Sequence, residues 1–157
     1  LIDDLSTEEI VAVLAHEIGH YKHKHTWQMM GVSVMNTVLM FFLLSLVLDS
    51  SVLAEAMGGS TPSFPLALVA FGLLYTPLEL LTGIGINALS RRNEYQADAF
   101  AARYYDGESL ISGLKKISVK SLSNLPPHPL YEWVYYSHPS LLKRIRAIGQ
   151  VEAVDAE

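Results

Sequence analysis

The chain has 157 residues, half of them hydrophobic and only 17% charged, which is the length of one domain. A net charge of −5 argues against a nucleic-acid partner. With no cysteine there is neither a disulfide framework nor a thiolate ligand, so any zinc must be held by His and carboxylate. The sequence begins at Leu1 rather than Met and enters a helix almost at once, which predicts a preceding N-terminal part. No signal-peptide pattern, internal repeat or low-complexity tract is evident.

Ser6-Thr7-Glu8-Glu9 reads as a capping box, a hydroxyl followed three residues later by a carboxylate. The helix it opens, within residues 1–25 and reaching about Lys24, carries His16-Glu17-Ile18-Gly19-His20, an H-E-x-x-H pattern. Residues four apart share a helix face, so His16 and His20 can each give one nitrogen to a single Zn²⁺. Glu17 is then close enough to act on a metal-bound water. Two ligands do not make a stable site, so a third must come from elsewhere. Gly19 weakens the helix by roughly 1 kcal/mol relative to Ala, which makes sense where something approaches the backbone closely. His23 and His25 read as a solvated or headgroup-level basic cluster rather than as extra ligands. The longer H-E-x-x-H-x-x-G-x-x-H pattern is rejected, because His23 and Thr26 stand where it needs Gly and His.

Residues 29–48 contain no charged side chain and are long enough to cross ~30 Å of hydrocarbon as a helix. Ser33, Asn36, Thr37 and Ser45 are expected to face other helices. Asp49 to Phe64 reads as a loop containing Gly58-Gly59 and Pro62. A second apolar run follows at 66–89, with Pro77 and one ionisable residue, Glu79. An intramembrane carboxylate is a functional candidate by default, but a better third ligand follows it. Two such runs exceed what a soluble core of this size needs, so spans are preferred over a buried soluble hairpin. Lys22, Lys24, Arg91 and Arg92 flank the pair on the His16 side, while Asp49 and Glu55 lie in the connection. The positive-inside tendency therefore places the His16 side in the cytosol.

A hairpin returns the chain to the side it left, where Glu94 and Asp98 open the helix of residues 90–106. Four apart, they share a face: one carboxylate, Glu94, is the third ligand, and the other can accept the N–H of a ligand His and fix its tautomer. Alone, the pair would read as an ordinary charged helix start; His16 and His20 on the same side favour the ligand reading. In the remaining helical segment, 107–157, Leu110 to about Val119 reads as packing. Residues 125–129 form a proline-rich loop with His128 exposed, and Pro139 suits the first turn of a last helix from Leu141 to about Val151. His138, just before that helix, could donate to an oxyanion, and Arg144 could pair with a carboxylate. The fold class is all-α, a membrane helical hairpin joined to a zincin-type helical catalytic core.

Taken together, HEIGHYKHKHT, LSRRNEYQADAFA and YYSHPSLLKRI, with two hydrophobic spans between the first two, resemble the CAAX prenyl protease 1 family. These are integral-membrane zinc endopeptidases of the gluzincin type, and the last two segments are far more specific than H-E-x-x-H. The resemblance implies one zinc ion held by His16, His20 and Glu94, with Glu17 as catalytic acid/base and Asp98 supporting a ligand. It implies His138 and Arg144 as substrate or transition-state contacts. It also implies a ring of seven membrane helices enclosing a chamber, of which this C-terminal catalytic part supplies the last two. The implied activity is removal of the C-terminal tripeptide of prenylated CAAX proteins, by Glu-assisted attack of zinc-bound water. The implied partners are a peptide or protein substrate, C-terminally prenylated, and the lipid bilayer. The implied place is a multi-pass membrane protein with a cytosol-facing site, in the endoplasmic reticulum of a eukaryote or the inner membrane of a bacterium. Two rivals stand beside it: an HtpX-like membrane-protein quality-control protease, and a non-catalytic membrane scaffold with a closed, four-ligand zinc completed through His23.

Overall fold

The computed structural model describes residues 4–122, 124 and 127–155, and among them there is no strand: the fold is all-α. Seven helices follow in order: α1 (Thr7–Lys22), α2 (His25–Val47), α3 (Ser51–Ala56), α4 (Phe64–Tyr104), α5 (Gly107–Lys120), α6 (Pro129–Tyr135) and α7 (Leu141–Asp155). They form two compact units, Met29–Gly85 and the residues on either side of it.

The expected capping box is present at α1. Glu9 N–H donates to Ser6 Oγ at 3.2 Å, and Ser6 N–H donates to Glu9 Oε2 at 2.7 Å. Glu9 does more than cap, because it also accepts from Lys116 Nζ and Ser112 Oγ, each at 2.7 Å. Those bonds, led by Lys116, pull its carboxyl down to about 2 and tie the start of α1 to α5. Ala12, Ala101, Leu110 and Ile148 form the buried core of this unit, with Val13, Ala15, Ala102, Ile111 and Leu114 packed around them. The core thus joins α1, α4, α5 and α7, with the large Leu110 and Ile148 packed against the small Ala12 and Ala101.

At Gly19, α1 and α4 approach closely. A Cβ there would lie 3.0 Å from Ala97 Cα and 3.0 Å from Phe100 Cβ. The glycine weakens α1 locally, yet it lets α1 seat against α4 between His16 and His20 on one side and Glu94 and Asp98 on the other. Gly19→Val is therefore expected to destabilise by about 1–3 kcal/mol through overpacking against backbone, despite removing a helix glycine. Thermal or denaturant unfolding of the purified protein would show it, and a stabilised variant would refute the close-packing role.

Several boundaries differ from the sequence reading. The first helix stops at Lys22, not Lys24, because Lys24 turns the chain at φ 58°. The second begins at His25 rather than residue 29, with Gln28 N–H already bonded to Lys24 O at 3.0 Å. Asp49 to Phe64 is not all loop: Ser50 caps the short α3, its Oγ accepting from Leu53 N–H at 3.3 Å. Gly58, at φ 81°, then turns the chain towards α4. The second apolar run and the Glu94 helix are one continuous helix, not 66–89 followed by 90–106. The reason is local, since no glycine or proline occurs between Gly85 and Tyr104. Residues Leu125 and Pro126 of the expected loop lie outside the described residues. Past them, His128 caps α6, a short helix that no periodicity in the sequence announces. Pro139 precedes α7 rather than entering it. Both α2 and α4 are long and apolar enough to cross a membrane.

Candidate metal centre

α1 offers His16 and His20 on one face, one turn apart. α4 offers Glu94 and Asp98 in the same way, past its apolar stretch. Through the Gly19–Ala97 approach these faces meet. His16 Nε2 and His20 Nε2 are 3.1 Å apart, His20 Nε2 is 3.4 Å from Glu94 Oε1, and His16 Nε2 is 3.8 Å from Glu94 Oε2. These three residues form a group with donor atoms all within 4.8 Å of one another. Ligands about 2.0–2.2 Å from a tetrahedral zinc would stand roughly 3.3–3.6 Å apart, so two imidazole nitrogens and one carboxylate at these spacings fit that ion. His23 does not belong to the group, which weighs against a closed four-ligand site.

Asp98 is buried behind His16. Its Oδ1 accepts the His16 Nδ1–H at 2.9 Å, which leaves Nε2 with a bare lone pair facing the group. Arg144 from α7 clamps the same carboxylate with two bonds, Nε to Oδ2 at 2.8 Å and Nη2 to Oδ1 at 2.6 Å. Its Nη1 also lies 3.3 Å from Glu94 Oε2. The pairing expected of Arg144 is thus with Asp98 and Glu94 together. His138 stands 3.1 Å from Glu94 Oε2 through Nδ1, while most of its side chain remains exposed. Glu17 is exposed on α1 and lies outside the donor group.

Electrostatics keep both carboxylates anionic. Burial pushes Glu94 up, but the His138 hydrogen bond and the Arg144 charge outweigh it and hold the carboxyl below its usual range. Burial acts on Asp98 in the same way and is outweighed by the bonds from His16 and Arg144. Glu94 in turn raises His138. Burial, followed by the neighbouring His16, pushes His20 down and favours its neutral, ligating form. The anionic Glu94 thus offers a dication a charged donor beside two imidazoles, with Arg144 and His138 on its far oxygen.

How the His138 segment is held does not follow from the sequence pattern. Glu132 of α6 is buried and accepts Ser140 N–H at 2.9 Å and Lys143 Nζ at 3.0 Å. From α4, Asn87 Nδ2 donates to Val134 O at 2.8 Å, and Arg91 Nη1 donates to Glu132 O at 3.3 Å and to Tyr136 O. Arg91 is therefore more than the flanking positive charge that its place in the sequence suggests. His25 also departs from expectation: it is 4% exposed and bonded inside the unit, not a solvated member of a surface cluster, whereas His23 is exposed. Glu79 is exposed on the apolar part of α4.

The sequence profile of Peptidase family M48 matches residues 1–152. A CAAX prenyl protease 1 homolog of Arabidopsis thaliana is 39% identical, over 90% of this chain and 33% of its own length. The CAAX prenyl protease 1 of Saccharomyces cerevisiae is 35% identical, over 96% of this chain and 37% of its own. The crystal structure of S. mikatae Ste24p superposes with a TM-score of 0.80 at 34% identity, covering 94% of this chain and 37% of that one. The chain thus spans about a third of the length of these relatives. It belongs to peptidase family M48, in the CAAX prenyl protease 1 group.

Proposed function

We propose that this chain is the catalytic part of a zinc-dependent membrane endopeptidase that removes the C-terminal tripeptide of prenylated CAAX proteins. The observation that carries the reading is the convergence of His16, His20 and Glu94 within 4.8 Å, with Glu17 next to His16, in a member of a peptidase family. The substrate class follows the names of the relatives, CAAX prenyl proteases. A zinc ion bound there would polarise the scissile carbonyl and lower the pKa of a coordinated water towards about 7.

The protein's own groups do the rest. Glu17 takes the proton of the attacking water and passes it to the leaving amine. His138 turns Nδ1 to the Glu94 carboxylate, which favours its protonated form, and in that imidazolium Nε2–H is left to donate to the developing oxyanion. Arg144 and Asp98 hold Glu94 and His16 in place, so their contribution is orientation. The exposure of the apolar helices supports the membrane setting. None of the apolar window of α2 is buried, and 11% of that of α4, whereas the core helix of a soluble hairpin would be covered. Lys22, Lys24, Arg91 and Arg92 on the metal side support a cytosolic site.

The test pairs metal analysis of the purified full-length protein with turnover of two substrates, a farnesylated CAAX peptide and an unmodified membrane segment. One zinc per chain and selective release of the tripeptide are expected. Equal cleavage of both substrates would favour a quality-control protease, and full activity without zinc would refute the metallopeptidase reading.

A further inference from the structure

His25 is buried at the start of α2 without belonging to the ligand group. Its Nδ1 lies 3.0 Å from His20 Nδ1, and its Nε2 lies 3.0 Å from Gln96 Oε1. His23 stacks on it, with ring centroids 5.4 Å apart and the rings 14° from parallel.

The donors and acceptors along this row leave one consistent order. A neutral imidazole has one N–H and one lone pair. For His20 to offer a lone pair from Nε2, its proton must sit on Nδ1. There it faces His25 Nδ1, which must accept it and therefore carries no proton. The His25 proton is then on Nε2, facing Gln96 Oε1, and an amide oxygen only accepts. In the reverse order, the His25 Nε2 lone pair would face an oxygen lone pair. A His20 N–H would also point at His16 and Glu94, where the ion is to sit. The two ends of the row, ligand and amide oxygen, thus demand the same proton placement.

We propose that Gln96 and His25 form a proton-ordered relay that holds His20 in the tautomer with a bare Nε2. This inference rests on the zinc reading above. Asp98 orders His16 in one hydrogen bond, and Gln96, two residues earlier on α4, orders His20 in two. His25 and Gln96 are positioning residues, acting through His20.

The test is a chelator-competition zinc titration of the full-length protein, with the visible spectrum of the Co²⁺-substituted form as a second readout. His25→Phe keeps a ring and removes both nitrogens. Gln96→Leu keeps the shape and removes the acceptor, while Gln96→Glu keeps an acceptor. The zinc Kd is expected to rise about 10- to 100-fold in His25→Phe and Gln96→Leu, with an altered Co²⁺ spectrum. In Gln96→Glu, which keeps an acceptor and adds a negative charge, the zinc Kd should not rise above the wild-type value. An equal loss in Gln96→Glu and Gln96→Leu would reduce Gln96 to packing and overturn the relay, as would wild-type affinity in His25→Phe and Gln96→Leu. If His25→Phe does not fold, the two Gln96 variants decide alone. A wild-type protein that binds no zinc overturns the metal reading and the relay with it. Zinc bound normally by every variant overturns the relay only.

Discussion

Glu17→Gln is expected to leave one zinc per chain and to lower kcat by about 10²- to 10⁴-fold, the usual worth of a positioned general base. The side chain is exposed and outside the donor group, so its amide has no ligand role to disturb. Gln matches Glu in size and in helix propensity, so α1 and its seat on α4 should be preserved. What it loses is the anionic oxygen that can take a proton. Glu17→Asp separates charge from reach: it keeps the base but withdraws it by one methylene, and an intermediate rate is expected. Metal content and single-turnover rates measured on the same preparations check both. Retained activity in Glu17→Gln would end the assignment. Loss of zinc in that variant would mean that Glu17 shapes the metal site instead.

The parts of the site legible in the sequence are those set by helix periodicity. Residues four apart share a face, so the pairing of His16 with His20 and of Glu94 with Asp98 follows from their spacing alone. Gly19 is also legible as a place of close approach, and Ala97 and Phe100 are what approaches it. The capping box announces the start of α1, but not that Glu9 reaches α5, because Ser112 and Lys116 lie more than a hundred residues away. His25 is hidden for a similar reason. In a run of Lys and His its neighbours suggest solvent, and the Gln96 it bonds when buried lies 71 residues later. The support of the His138 segment is equally hidden, since Asn87 and Arg91 meet α6 only through the fold. Helix ends are blurred where no breaker marks them, as in the run from Gly85 to Tyr104. Local pattern thus points to the candidate metal-binding residues and to which of them share a helix face. It is silent on the partners that tertiary packing supplies.

Glu94→Ala is expected to empty the site of zinc under conditions where the wild type is fully loaded. The loss should exceed the about 10- to 100-fold that removal of an outer partner costs, because two effects act together. The first is removal of the only anionic donor in the group of three. The second is electrostatic. Arg144 Nη1 and His138 Nδ1 both lie against Glu94 Oε2, at 3.3 and 3.1 Å. Without the carboxylate the Arg144 guanidinium presents uncompensated positive charge to an incoming dication, while His138 loses the partner that raises it. Glu94→Gln separates the contributions, since it keeps a carbonyl oxygen at the site but removes the charge, and its affinity should fall between those of Ala and the wild type. The fold should survive both changes, because Asp98 keeps its two bonds to Arg144 and its bond to His16. Helix content by circular dichroism, read beside metal content, distinguishes a lost ligand from a lost fold. Full zinc occupancy in Glu94→Ala would refute the ligand role. The third donor would then have to be sought among the groups that now surround Glu94, beginning with His138, whose Nδ1 already touches its carboxylate.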